Sequence, residues 1–256
     1  MAVKFLTDYP AAFVPEEKSL VIAELHLGLE YEIYKSGISI LPQREKFLES
    51  LEKLIEITNA KKLVIVGDIK HKVPGSSLRE DKEIPKFLEQ ISSKLKTILV
   101  KGNHDDRIEE ILPSNIKIYS ARGFKMKKYG FFHGHAWPSK TLMKCDYLFM
   151  GHIHPAIEFR DGFGYRNSEK VWIKGNLDEN RIKKHYDLQK TGKLNIIVIP
   201  TFNNILGGKA VNRVSKEEQI SPLIANEVFG IDSAKIYLLD GTYLGILGNI
   251  KKLGNN

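Results

Sequence analysis

Five stretches of this chain share one local grammar: a run of apolar residues, then histidine, acid or amide side chains with a small residue close by. Residues 19–23 lead into Glu24-Leu25-His26, residues 62–66 into Gly67-Asp68-Ile69-Lys70-His71, and residues 97–100 into Lys101-Gly102-Asn103-His104-Asp105. Residues 130–132 lead into His133-Gly134-His135, and residues 147–150 into Gly151-His152-Ile153-His154-Pro155. Seven of the eight histidines lie in these stretches, and only His185 falls outside them. Histidines scattered for packing or surface reasons would not concentrate this way. A short continuous apolar run reads as a buried strand. The pattern therefore puts polar chemistry at strand ends, where open α/β sheets bind ligands.

The rest of the chain supplies the helices and loops such a sheet needs. Residues 3–6 read as an edge strand. Residues 44–58 carry Phe47, Leu48, Leu51, Leu54 and Ile55 at the spacing of one helical face. Residues 72–81, with Pro74 and Gly75, read as a loop, and a helix is expected over 84–95. A short helix is expected over 105–112, stopped by Pro113. Beyond it, short strands at 116–120, 123–127 and 130–133 are spaced for antiparallel pairing. Residues 139–144 read as a helical turn. Residues 157–160 and 170–174 read as a hairpin-like pair around a Gly-rich 161–168, and 194–201 as the last long strand. Residues 203–235 are mixed, with Gly207-Gly208 a flexible break. Asp240-Gly241, between apolar residues 236–239 and 243–247, signals a hairpin, and the last six residues are expected to fray. With no repeat and no Gly/Ser linker, residues 1–256 are expected to form one domain. Its core lies at about 18–201, with a C-terminal extension over 202–256 that carries the hairpin.

Composition narrows the class. A chain of 256 residues with 42% hydrophobic and 27% charged residues suits an ordinary globular protein. Its apolar runs fall far short of the roughly 20 residues that span a bilayer. The N-terminal stretch, broken by Asp8, Pro10 and Pro15, lacks the apolar core of a signal peptide, so no membrane partner and a cytoplasmic location are expected. The single Cys145 excludes an intrachain disulfide and reads as a small buried hydrophobe. A net charge of +8 favours polyanions, although the lysines are dispersed rather than massed.

Imidazole, carboxylate and amide donors together suit manganese, iron or zinc rather than a thiolate-seeking metal. Two ions about 3.5–4 Å apart need a carboxylate that touches both. Asp68, the sole acid directly behind the second strand, is the natural bridge. His152 and His154 point the same way if the backbone is extended, or are split between two ions by the turn at Pro155. Such ions lower the pKa of a bound water to about 7 and make it a nucleophile. His104, backed by Asp105, is placed to donate a proton to a leaving oxygen.

The ordered set Glu24-x-His26, Gly67-Asp68-x-x-His71, Gly102-Asn103-His104-Asp105, His133 and Gly151-His152-x-His154 resembles the calcineurin-like metallophosphoesterase superfamily. Its usual pattern is D-x-H, G-D-x-x-D/H, G-N-H-D/E, H and G-H-x-H. The resemblance spans roughly residues 18–201 and is specific as a set. It implies an α/β fold, a four-layer α/β/β/α sandwich of two mixed sheets flanked by helices. It also implies one ion held by Glu24, His26, Asp68 and His154, and a second by Asp68, Asn103, His133 and His152. His104 is then the catalytic histidine and Asp105 its orienting partner. The wording around Glu24-Leu25-His26, Gly67-Asp68-Ile69-Lys70-His71 and Gly151-His152-Ile153-His154-Pro155 resembles a branch related to DNA-repair exonuclease subunits and ligase-associated phosphoesterases.

Two positions depart from the pattern. Glu24 stands where the superfamily has Asp, one methylene longer. Lys70-His71 puts a cation and an imidazole where many relatives carry a second acid. His71 and His135 are expected either to contact substrate phosphate or to hydrogen-bond the ligands from behind. Arg44 reads as a solvated helix residue and Trp137 as packing. The expected function is hydrolysis of phosphodiesters, in DNA, RNA or nucleotides, by a metal-activated water. Two divalent ions are expected, manganese first, with iron, zinc, nickel or cobalt as alternatives. The competing expectation is a non-catalytic or single-metal nucleic-acid-binding scaffold or partner subunit, its first site disabled by Glu24. No oligomeric state follows from the sequence.

Overall fold

The computed structural model describes residues 2–213 and 221–253 of the chain. Among these residues the first sheet has six strands in sequential order: β1 (Lys4–Phe5), β2 (Ala12–Val14), β3 (Ser19–Ile22), β4 (Lys62–Val66), β5 (Lys96–Val100) and β6 (Lys117–Tyr119). Strands β3 to β6 run parallel, while β1 and β2 are antiparallel additions at one edge. The second sheet contains β7 (Phe124–Met126), β8 (Tyr129–Phe132), β9 (Tyr147–Met150), β10 (Pro155–Arg160), β11 (Arg166–Asn176), β12 (Asn195–Val198) and β13 (Lys209–Ala210), followed by the hairpin β14 (Lys235–Leu238) and β15 (Tyr243–Ile246). Its main path runs β13-β10-β11-β12-β9-β8-β7, and β14 joins it by pairing with β11.

Strand alternation builds the layers. Along β3, Leu20 and Ile22 face one core while Val21 and Ala23 face another, and β4 divides Leu63 and Ile65 from Val64 and Val66 in the same way. The outer core of the first sheet is closed by the Phe47, Leu51 and Leu54 stripe of α2 (Gln43–Thr58) and by Ile84, Phe87, Leu88 and Ile91 of α3 (Leu78–Ser92). The inner core packs Val21, Val64 and Val100 against Phe131, Phe149 and Trp172 of the second sheet. The far face of the second sheet buries Leu148, Met150, Ile173 and Val198 against Ile182 of α4 (Glu179–Tyr186), Leu223 of α5 (Pro222–Ala225) and Leu247, the first residue of α6 (Leu247–Leu253). These are the four layers expected. Each such side chain contributes about 1.5–3 kcal/mol on full burial, and a one-residue slip would exchange the two faces of a strand, so the pattern fixes register.

Several local expectations are corrected. The third helix starts at Leu78, not near 84, because Ser77 and Glu80 form a reciprocal capping box. Strand β6 does not pair antiparallel with its successors; it extends the first sheet parallel to β5. Only β7 and β8 of that group form a hairpin, and β8, β9 and β12 are parallel. Over 105–112 only a 3-10 turn at Ile108–Glu110 forms. The Gly-rich turn is confined to 161–165 because β11 begins at Arg166. The helix over Leu29–Lys35, which becomes α1, and α4 had no counterpart in the sequence reading. Residues 251–253 belong to α6, and the remainder of the tail lies outside the described residues. Among the described residues no helix is long and apolar enough to cross a membrane.

Candidate metal centre

Strands β3, β4, β5, β8 and β9 all end at one edge of the two-sheet stack, and their loops meet there. Glu24, His26, Asp68, His152 and His154 adopt left-handed backbone conformations, with φ of 62°, 45°, 52°, 69° and 49°. Such φ values are uncommon outside glycine and persist only where the surroundings enforce them. Here the loops hydrogen-bond one another: Glu24 N donates to Gly67 O at 3.1 Å and His26 N to Asp68 O at 2.9 Å. Behind Glu24, Thr201 Oγ1 donates to Glu24 O at 2.9 Å and Asn203 Nδ2 to Leu25 O at 2.8 Å. Lys170 Nζ in turn donates to the Thr201 and Asn203 carbonyls.

Two clusters that share Asp68 result, beside a third grouping of His26, His71 and His104. In the first, Glu24 Oε2 lies 2.6 Å from His154 Nε2 and 3.1 Å from His26 Nε2, while the two Nε2 atoms are 3.3 Å apart. Asp68 Oδ2 stands 3.8 Å from His26 Nε2 and 3.4 Å from His133 Nε2, so it reaches both clusters. In the second, His133 Nε2 is 3.0 Å from Asn103 Oδ1, and His152 packs ring to ring against His133 at 5.0 Å. His152 Nε2 is buried and has no hydrogen-bond partner among the described residues. The donor atoms of Glu24, His26, Asp68 and His154, and those of Asp68, His133 and His152, each lie within 4.8 Å of one another. His152 and His154 thus fall in different clusters, split by the bend at residues 152–153 and the left-handed backbone of His152 and His154, while Pro155 already belongs to β10.

Space for this crowding comes from glycine. A Cβ on Gly102 would sit 1.9 Å from Asp68 Oδ1, and one on Gly151 would sit 2.6 Å from Glu24 Oε1. Gly151 therefore makes room for the longer acid, whose Oε1 accepts the His152 amide.

The field in the site is that of a cation receptor. Burial pushes the Glu24 and Asp68 carboxyls up, Glu24 adds to that push on Asp68, and the surrounding imidazoles pull both below their usual values. Burial pushes His133 down, but Glu24 and Asp68 outweigh it and drive it up to about 9. His154 is likewise raised, by Glu24 against its burial. His152 and His71 are depressed to about 4, by burial and by the imidazoles beside them, which leaves their nitrogens as neutral donors. An orphaned buried nitrogen, converging imidazole nitrogens and a carboxylate reaching two groups fit divalent-metal ligation.

Around this centre, His71 Nδ1 lies 3.4 Å from His26 Nδ1, and His71 O lies 2.5 Å from His104 Nδ1. The expected His104–Asp105 contact is not formed. Asp105 is fully buried and turns under the loops, where its Oδ1 accepts Ile69 N at 2.9 Å and its Oδ2 accepts Gly102 N at 2.8 Å. Burial and then Asp68 push its carboxyl up to about 6. The loop bearing His71 is anchored by Glu80 Oε1, which accepts His71 N and Lys72 N, and by the buried Lys70, whose Nζ donates to Lys72 O and Gly75 O. His135 stacks edge-on to His133 at 5.1 Å. Asp68, Asn103, His104, His152 and His154 line a cavity of about 340 Å³ together with Gly207, Gly208 and Lys209, whose amide donates to His154 O.

Other readings resolve simply. Trp137 stacks on His185 at 3.7 Å, as packing. Arg44 pairs with Glu83 and Glu45. Cys145 is buried, and burial pushes its thiol up to about 11. Sequence reasoning missed Glu80, Thr201, Asn203 and the wall at 207–209. Ser77-Leu78-Arg79-Glu80 carries the capping-box spacing that marks Glu80. The Thr201-Phe202-Asn203-Asn204 run repeats the strand-then-polar grammar without a histidine.

Residues 18–153 match the family model for calcineurin-like phosphoesterases. The chain is similar in structure to the nuclease MPE of Pseudomonas putida, with 17% identity over 90% of this chain and 89% of that one and a TM-score of 0.56. YfcE, a phosphoesterase from E. coli, is 21% identical over 56% of this chain and 74% of its own, but at a TM-score of 0.36 the overlay adds nothing. No curated protein sequence matches the chain.

Proposed function

The chain belongs to the calcineurin-like phosphoesterase family of metal-dependent hydrolases, and from that premise we propose that it hydrolyses phosphodiesters with two divalent cations, manganese first among them. The observation that carries the reading is Asp68 Oδ2, within 3.8 Å of the His26 ring nitrogen and 3.4 Å of the His133 ring nitrogen. Glu24, His26, Asp68 and His154 would hold one cation, and Asp68, Asn103, His133 and His152 the other. When bound, such ions supply Lewis acidity and lower the pKa of a water to about 7.

The protein's own groups do the remaining work. The His104 Nδ1–H donates to the His71 carbonyl, which fixes the ring so that Nε2 is free for the substrate. In the imidazolium form, Nε2–H is the proton given to the leaving oxygen. His71, whose Nδ1 lies 3.4 Å from His26 Nδ1, is placed to orient that ring, while His135 touches His133 only ring to edge. The Gly207–Lys209 wall confines the scissile group. Nucleic acid is the substrate class that suits a net charge of +8 and a fold shared with a nuclease. The scaffold alternative needs Glu24 to disable the first cluster, whereas its Oε2 lies 2.6 Å from His154 Nε2 and 3.1 Å from His26 Nε2, within the cluster.

Purified protein loaded with Mn²⁺ is expected to cleave bis(4-nitrophenyl) phosphate faster than the corresponding monoester. No cleavage of either ester with Mn²⁺, Ni²⁺, Co²⁺ or Zn²⁺ would overturn the proposal.

A further inference from the structure

Strand β10 begins at Pro155, one residue beyond His154, and runs parallel to β9 and β12, because β10 is antiparallel to β11 and β11 to β12. β9 ends at Met150, and β10 continues in the same direction from that level. The hairpin therefore projects past the edge of the sheet at which the metal centre sits. The long β11 has the matching division: Val171–Lys174 pair with β14, while Arg166–Lys170 pair only with β10. At about 3.4 Å per residue, Arg160 stands roughly 17 Å along the strand from Pro155.

The projecting half has a composition that stability does not explain. Phe163 is fully exposed, Tyr165 is 70% exposed and Phe159 is 41% exposed. Arg160 lies directly opposite Arg166, and like charges at opposed positions destabilise a strand pair. The acids of the hairpin, Glu158, Asp161 and Glu169, match its cations in number, but each is engaged locally: Glu158 by Arg160 and Arg213, Asp161 by the turn amides of Phe163 and Tyr165, and Glu169 by the Asn167 amide. Aromatic faces interleaved with guanidinium groups are what single-stranded nucleic acid binds: bases stack on the rings and phosphates meet the cations.

We propose that the β10–β11 hairpin is an arm that binds single-stranded nucleic acid a few nucleotides from the scissile phosphate. This rests on the phosphodiesterase reading for the position of the strand, but its test is separate. Phe163 and Tyr165 supply stacking platforms that are indifferent to base identity, and Arg160 and Arg166 supply phosphate contacts.

Binding of a fluorescent oligothymidylate to the full chain, measured by anisotropy in EDTA, isolates the arm from chemistry. The double variant F163A/Y165A is expected to bind about 10- to 100-fold more weakly. The variant R160Q/R166Q is expected to lose affinity at low salt and to show a shallower salt dependence. Both are expected to hydrolyse bis(4-nitrophenyl) phosphate like the wild type. Oligonucleotide affinity unchanged in both variants would overturn the arm, as would hairpin substitutions that alter oligomeric state while leaving affinity intact. Failure of the wild type to hydrolyse any phosphodiester would sink the enzymatic reading instead, and the anisotropy result would still decide the arm.

Discussion

The carbonyl oxygen of His71 lies 2.5 Å from Nδ1 of His104, so a main-chain atom, and not the neighbouring acid, sets the orientation of the imidazole proposed as general acid. Nε2 is thereby committed to the cavity. Replacing His104 with Ala should leave metal content intact and lower turnover of a phosphodiester by roughly 10²- to 10⁴-fold, as for a general acid. Elemental analysis beside steady-state kinetics checks this; loss of metal in step with activity would make His104 a ligand.

Asp105 has a different task. Its carboxylate accepts backbone N–H groups from Gly102, Ile69 and Lys70, tying the loops after β4 and β5 together. Asp105→Ala strands those buried donors, at about 1–3 kcal/mol each, offset by the relief of a buried carboxylate. A net loss of about 2–5 kcal/mol, roughly 5–15 °C in melting temperature for a chain of this size, is expected in thermal denaturation. A variant that melts like the wild type would refute the role of loop tie.

Gly102 tests the packing of the centre. A methyl group there meets Asp68 Oδ1 at 1.9 Å and the Asp68 amide nitrogen at 2.4 Å, neither of which can retreat without moving the shared carboxylate. Gly102→Ala should therefore weaken metal binding by at least about tenfold, measured by competition with a chelating dye. Wild-type affinity would show that the loop has slack.

Metal uptake should depend on pH in a set direction. His133 is raised to about 9 because Glu24 and Asp68 overcome the effect of its burial. A raised folded-state value means that this ion pairing stabilises the metal-free protein fully below about pH 6.5 and is lost as the pH rises through about 9. A bound cation replaces the proton, so Mn²⁺ affinity should climb between pH 6.5 and 9, by up to about tenfold per unit for one displaced proton. The melting-temperature gap between loaded and metal-free protein should widen over the same window. A flat titration would place the metal elsewhere.

Much of the centre was legible in the chain because buried strands and their polar exits leave a joint mark. Residues 63–66 are continuously apolar and stop at Gly67-Asp68, and the same break recurs after β3, β5, β8 and β9. What escaped depended on relations a linear reading does not hold. Helix α1 starts at Leu29 behind Gly28, which offers no side-chain cap, so nothing local announces it. Strand β7 follows β6 closely, yet spacing cannot tell a parallel edge strand such as β6 from a hairpin partner. Asp105 follows His104 in sequence, but its side chain turns into the loops while the ring faces the cavity. Adjacency along the chain is not adjacency of functional atoms.

The sharing of Asp68 between two clusters is the centre of the reading, and metal stoichiometry tests it most directly. Protein equilibrated with Mn²⁺, desalted and assayed for metal should carry two ions per chain, while Asp68→Asn should carry well under one, because the same oxygen reaches both clusters and would serve both ions. Two ions retained in Asp68→Asn, or a single ion in the wild type, would contradict a dinuclear centre bridged by Asp68.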